Sequence, residues 1–420
     1  MRRLFRRVAL ACAVLLVAGG GAFAALAWHP VIDPVTPPRP DPALVARGAQ
    51  LAALGDCSAC HTAPAGRPYA GGYRLETPFG AILSPNLTPD PDTGIGRWSL
   101  PAFVRAMRQG VGREGSNLYP ALPYDHFTRV SDDDLAALYA FLQAGEPVRA
   151  DRPPNELHFP FNWRPLLAGW KLLFLRDRRW EPDPGHDAQW NRGAYLVEGL
   201  GHCGACHTPR NALGAERTDH ALQGGVAEGW ASWPIVGTGW SEDSLYWYLR
   251  VGVDRQHGAA AGPMAPVSWN LGRVPDGDVR AMAAYLASFA GPARPEPRDD
   301  PAVADADTPG AAIFAGACNS CHGQASPMHA AGYPYLNSST AVQADDPGNV
   351  LRVVLGGIRP NPVRPGPQMP AYATMLSDEQ VAAVASFVRA RYAPDRPAWT
   401  GPSGEGLAEA VRRIRSGGVQ

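Results

Sequence analysis

The pentapeptide CxxCH occurs three times in this chain, as CSACH at Cys57–His61, CGACH at Cys203–His207 and CNSCH at Cys318–His322. Two thiols three residues apart can add to the two vinyl groups of a haem, while the adjacent imidazole takes the iron. The motifs therefore predict three covalently bound haem c groups. Cys57, Cys60, Cys203, Cys206, Cys318 and Cys321 would be the attachment points, and His61, His207 and His322 the proximal ligands. Of seven cysteines, only Cys12 lies outside a motif, so no thiol remains for a disulfide framework. CxxC pairs also serve zinc ribbons and thioredoxin-like sites. A four-cysteine zinc site, however, would leave one pair unused and would not explain the histidine after each pair.

Length points to about three domains of roughly 150 residues. With 46 Gly and 43 Pro against 18% charged residues, the chain reads as short helices joined by many turns. The net charge of −1 gives no electrostatic basis for nucleic-acid binding. At the N-terminus, Arg2, Arg3, Arg6 and Arg7 precede an uncharged run from Val8 to Trp28. This is an export signal, in keeping with haem c attachment outside the cytoplasm. The run is long enough to cross a bilayer core of about 30 Å. Because Ala22-Phe23-Ala24 and Ala25-Leu26-Ala27 resemble small-residue cleavage sites, residues 1–28 are expected to be a cleaved signal peptide rather than a membrane anchor.

An internal repeat organises the rest. Trp98-Ser99, Gly110-Val111 and YPALPY follow the first motif; Trp240-Ser241, Gly252-Val253 and AGPMAP follow the second. The third copy keeps Gly357-Ile358 and PQMPAY. Twelve residues after the glycine, all three copies present an aligned slot, filled by Leu122, Met264 and Met369. Each copy closes with an amphipathic helix, marked by Leu135, Leu138, Tyr139 and Leu142, by Met282, Tyr285, Leu286 and Phe289, and by Val381, Val384 and Val388. The expected fold is all-α: three tandem class I cytochrome c domains at 41–148, 186–292 and 301–396, with a linker at 149–185 and a tail at 397–420.

The slot is where a sixth iron ligand belongs, and methionine opposite histidine raises a haem's potential. Met264 and Met369 are the expected distal ligands, with His257 and Met375 as their rivals. Met107 and Met282 lie on helical apolar faces and read as core, and Met328 and His329 stand too near their own motif. Leu122 has no donor atom. His126, four residues on in PYDHFT, is the candidate sixth ligand of the first haem; otherwise that iron is five-coordinate or holds water.

The chain resembles the triple-haem cytochrome c subunits of membrane-bound periplasmic dehydrogenases. The resemblance runs from about Val45 to Tyr392 and rests on SPNLTPDPDTGIGRWS at 84–99, SDDDLAALYAFL at 131–142 and RGAYLVEGLGHCGACHTPRNALGAE at 192–216. It implies an electron-transfer subunit on the outer face of the cytoplasmic membrane, itself without substrate chemistry. Such a subunit accepts electrons from a molybdopterin, quinoprotein or flavin dehydrogenase and delivers them to ubiquinone or the respiratory chain. Leu122 departs from the PAMPY of the alcohol dehydrogenase branch. PYDHFT and FPFNWRPLLAGWKLLFL resemble the branch serving molybdenum-dependent aldehyde or N-heterocycle dehydrogenases. The alternatives are the cytochrome subunit of a quinoprotein alcohol or flavin gluconate dehydrogenase, and a haem peroxidase using an open first haem. Phe159, Phe161, Trp163, Trp170 and Phe174 offer a partner-docking or membrane-surface patch, or a linker packed across the domain junction. The tail face of Leu407, Val411 and Ile414, flanked by Arg412, Arg413 and Arg415, suggests membrane contact. No Rossmann fingerprint or P-loop is present.

Overall fold

The computed structural model describes residues 2–295, 308–324, 326–363, 368–401 and 404–417. The expected domain boundary at 301 and the extreme termini lie outside these. The chain divides into two units. The first is Met1–Pro182 with Val197–His202 and Ala212–Ala215; the second is Asp183–Leu196, Cys203–Asn211 and Glu216–Gln420.

In the first unit, α1 (Arg2–Ala27) runs 26 residues with its apolar window wholly unburied. An extended segment follows, tied by Ile32 N–H to the Arg113 carbonyl at 2.9 Å and by Val35 N–H to that of Arg97 at 3.0 Å. The helix α2 (Pro42–Leu54) starts at Asp41, whose carboxylate accepts from the Ala43 N–H, and Pro42 suits its first turn. The short turn α3 (Cys57–Cys60) comes next. Strands β1 (Arg74–Thr77), β2 (Gly80–Leu83) and β3 (Glu156–Leu157) form an antiparallel sheet in that order. Helix α4 (Leu100–Gln109) is capped by Ser99 and ends at Gly110, and α5 (Tyr124–Phe127) is a single turn. Ser131 caps α6 (Asp132–Gln143), whose first turn carries three aspartates at the positive end of the dipole. Residues 149–182 fold into this unit, adding β3 and α7 (Leu166–Phe174).

The second unit begins at Asp183, takes in α8 (Ala188–Glu198) up to Leu196 and α9 (Gly204–His207), and adds the hairpin of β4 (Gly225–Ala227) and β5 (Trp230–Ser232). Next come α10 (Glu242–Val251), the hairpin of β6 (Val253–Asp254) and β7 (Gly258–Ala259), α11 (Met264–Leu271) and α12 (Asp276–Ala290). After these, α13 (Pro309–Ile313) leads to α14 (Asn319–His322), α15 (Pro327–Ala330), α16 (Thr340–Gln343), α17 (Gly348–Gly356), α18 (Asp378–Tyr392) and α19 (Leu407–Ser416). The capping box expected from Ser377 and Gln380 starts α18.

One helix crossing recurs three times. A Cβ on Gly48 of α2 would collide with the Ala137 carbonyl of α6, one on Gly193 of α8 with the Ala281 carbonyl of α12, and one on Gly310 of α13 with the Ala383 carbonyl of α18. Beside each carbonyl stands an aromatic residue four positions on, Phe141, Tyr285 or Phe387. Only a residue without a side chain lets the helix before CxxCH approach the closing helix this closely. In the first two crossings the preceding arginine clamps the closing helix: Arg47 Nε donates to Asp134 at 2.9 Å, and Arg192 Nε to Asp278 at 2.8 Å.

The tail does not turn an apolar face outward. Leu407, Ala410, Val411 and Ile414 are buried with Leu351, Leu355, Val381 and Trp399, while Arg412 and Arg415 reach Glu379 and Asp378 of α18. The membrane contact expected of this helix is corrected: its apolar stripe belongs to the core.

Candidate functional site

Each CxxCH is wound into a short helical turn. His61 Nδ1 lies 2.9 Å from the Pro85 carbonyl, and His207 Nδ1 lies 3.0 Å from the Trp233 carbonyl. In a neutral ring, an Nδ1–H that donates a hydrogen bond to a carbonyl leaves the lone pair on Nε2, the arrangement that orients metal-binding histidines. Burial lowers the pKa of both rings, with the carbonyl bond opposing it, so both are neutral donors near pH 7. His322 is pushed down to about 4, first by burial and then by His329. The motifs alone do not reveal the two carbonyls. Their signal in the sequence is a proline in each strand-to-loop segment, Pro85 at 24 residues past His61 and Pro234 at 27 past His207.

The first thiol of each motif holds its proton. Burial pushes Cys57 and Cys203 up to about 12 and Cys318 up to about 11. Zinc takes thiolates, and no third cysteine or histidine ligand gathers at any of the six thiols among the described residues. Paired cysteines beside an imidazole, whose Nδ1 is already engaged at His61 and His207, fit haem c attachment.

On the slot side, the repeat glycine ends a helix in each copy: Gly110 after α4 at φ 60°, Gly252 after α10 at φ 87° and Gly357 after α17 at φ 69°. Each glycine also abuts the slot segment. A Cβ would collide with the Tyr124 ring, with Ser268 of α11 and with the Met369 carbonyl, respectively. Only at Gly357 is the contact with the slot residue itself. Met369 exchanges both backbone hydrogen bonds with Ile358 at 2.9 Å, and Met264 opens α11 after Pro263. Both side chains are half-buried, as is Leu122.

The rivals sit elsewhere. His257 is stacked on Trp240 with ring centroids 3.6 Å apart, and its Nδ1 is 3.4 Å from Thr340 Oγ1. Burial, then the Arg294 charge, pushes it down to about 3. Met375 is exposed, while Met107 and Met282 are core. His329 is buried against Tyr335. His126 is buried in α5 rather than in the loop with Leu122, and its Nδ1 lies 2.8 Å from the Glu198 carbonyl, the pattern seen at His61 and His207.

Helical modules with CxxCH thiols and carbonyl-held histidines define a c-type cytochrome with covalent haem c. In agreement, residues 45–146 match the cytochrome c family model, and residues 305–388 match the model of cytochrome c oxidase, cbb3-type, subunit III. The cytochrome c subunit of a quinone alcohol dehydrogenase from Gluconacetobacter polyoxogenes is 37% identical over 91% of this chain and 86% of its own length. The gluconate 2-dehydrogenase cytochrome c subunit of Pantoea cypripedii is 37% identical over 89% of each chain. This chain belongs to the family of dehydrogenase cytochrome c subunits. A nicotinate dehydrogenase subunit of Pseudomonas putida is 46% identical over 93% of this chain, which spans 34% of that relative's length.

Proposed function

We propose that this chain carries three haem c groups and passes electrons from a molybdenum-dependent aldehyde or N-heterocycle dehydrogenase subunit to ubiquinone or the respiratory chain on the outer face of the cytoplasmic membrane. The observation that carries the reading is the threefold recurrence of one unit: a glycine helix crossing, a CxxCH turn and a glycine-spaced slot. Bound haem c supplies a one-electron couple whose potential its axial ligands and burial set. The residues do the rest. His61 and His207, oriented by the Pro85 and Trp233 carbonyls, and His322 hold the proximal side; Met264 and Met369 offer soft thioethers distally. Leu122 offers nothing to the first iron, so His126 takes that role. A high-spin ferric signal for that haem in both the parent and His126→Ala would overturn the assignment.

Partner type rests on likeness. The relative named for nicotinate, an N-heterocycle, shares 46% identity against 37% for those named for alcohol and gluconate. Co-purification decides it. A molybdenum-binding subunit whose substrate reduces the haems supports the proposal, and a quinoprotein or flavoprotein subunit replaces it with the second reading.

A further inference from the structure

Outside α1, six large apolar side chains are left exposed within residues 159–173 of the first unit: Phe159, Phe161, Trp163, Leu166, Leu172 and Leu173. Phe159 is 84% exposed and Leu172 63%. Such clustering marks an interaction surface. The patch is continuous with α1. Helix α7 packs on α1, Phe23 meets Trp163 at 6.1 Å between ring centroids, and Asn117 donates to the Ala27 carbonyl at 3.4 Å. With 26 residues, α1 is about 39 Å long, enough for a hydrocarbon core of about 30 Å. Four arginines mark its far end and Trp28, itself exposed, follows its near end. The patch thus lies where an outward-facing helix end meets the headgroups.

A second feature of the same segment fits headgroups. A cavity of about 210 Å³ is lined by Arg152, Arg164, Tyr119, Asn155 and Asn162, with Pro154 and Leu157, and no carboxylate is among its walls. Arg164 donates to the Asn117 carbonyl at 2.8 Å and lies over the Tyr119 ring at 4.9 Å. Burial and the neighbouring Arg164 charge hold the Arg152 guanidinium below its ordinary value. Two facing cations with amide donors and no acid suit a phosphate.

We propose that residues 159–174 lie in the outer-leaflet interface, Phe159, Leu172 and Leu173 at the acyl boundary and Arg152 with Arg164 on a phospholipid phosphate. The occupant is the bilayer rather than the dehydrogenase partner because the patch adjoins the one helix among the described residues long and apolar enough to span. The inference is drawn for the chain that keeps α1, on which the choice of occupant rests. It deepens the outer-face placement proposed above and fails separately from it, since substrate-driven haem reduction does not depend on where this segment lies.

The test uses the full haem-loaded chain with Cys12→Ser, reconstituted in phosphatidylcholine nanodiscs with and without phosphatidylglycerol. Spin labels are placed at Phe159→Cys and Leu173→Cys, with Val226→Cys, exposed in the second unit, as the aqueous control. Labels at 159 and 173 should favour collision with oxygen over a water-soluble nickel complex, and the label at 226 should show the reverse. For binding to vesicles of the same compositions, Arg152→Gln and Arg164→Gln should each weaken the phosphatidylglycerol-dependent part by about five-fold. Haem absorbance confirms that each variant is folded. Labels at 159 and 173 that read as water in both bilayers, or that are shielded only when the dehydrogenase subunit is added, overturn the proposal.

Discussion

At the scale of single residues, function turns on what each side chain can donate. Met264 and Met369 are soft neutral donors in slots set by a glycine twelve residues before, so Met264→His or Met369→His should lower one haem potential. The drop should be on the order of 0.1 V, a fraction of the roughly 0.8 V that axial ligands span. A redox titration in which neither substitution moves any midpoint would remove both residues from the iron. His257 has a different role. Its pKa falls from 6.5 to about 3 because its ring is buried against Trp240. The unfolded chain therefore binds this proton more readily, and the stability held above pH 6.5 is lost progressively as pH falls toward 3. Thermal melts should show a shallower acid-side loss in His257→Phe than in the parent over that window; equal slopes would contradict the assignment. The CxxCH motifs and the twelve-residue glycine spacing can be read off the chain because they are local in sequence. The carbonyls of Pro85 and Trp233 cannot, since every residue has one and only the fold selects which faces an imidazole.

At the scale of elements, the threefold crossing of the opening and closing helices holds each module together. Gly48→Ala, Gly193→Ala and Gly310→Ala each place a methyl against a carbonyl, and should cost about 1–3 kcal/mol through overpacking. Gly277→Ala in α12 meets nothing within 4 Å and should be neutral or stabilising, as helix propensity alone dictates. Denaturant melts of the four variants check the contrast, and equal effects would show that the crossing is not tight. The Arg192 clamp adds little, because both of its partners are partly exposed, whereas the Arg47 clamp pairs a buried carboxylate, Asp134. Closing helices were readable from apolar spacing, yet the crossing glycines were passed over because glycine inside a helix ordinarily reads as a weakness. The tail was misread for the opposite reason. A stripe of Leu407, Val411 and Ile414 beside arginines looks the same whether it meets a bilayer or a core, and only the position of α17 and α18 decides. Val411→Asp should consequently destabilise the second unit by about 3 kcal/mol or more, by burying an unpaired charge, and should leave membrane association unchanged in a fractionation assay.

At the scale of the whole molecule, the chain is a family member whose sequence repeats one redox module and varies its slots. Membership as a dehydrogenase cytochrome c subunit stands on relatives matched along most of their length. Segment 149–182 shows the limit of composition. Its aromatics, prolines and arginines suit a packed linker, a partner-docking patch or a membrane-surface patch, and the fold uses part of it as a third strand and leaves part exposed. The most direct test of the triple-haem assignment is the intact mass of the purified, denatured polypeptide. The expected result is the mass of one chain plus three covalently attached haems, with any loss of the N-terminal segment accounted for. A mass carrying two haems or fewer from cells competent in haem attachment would contradict it.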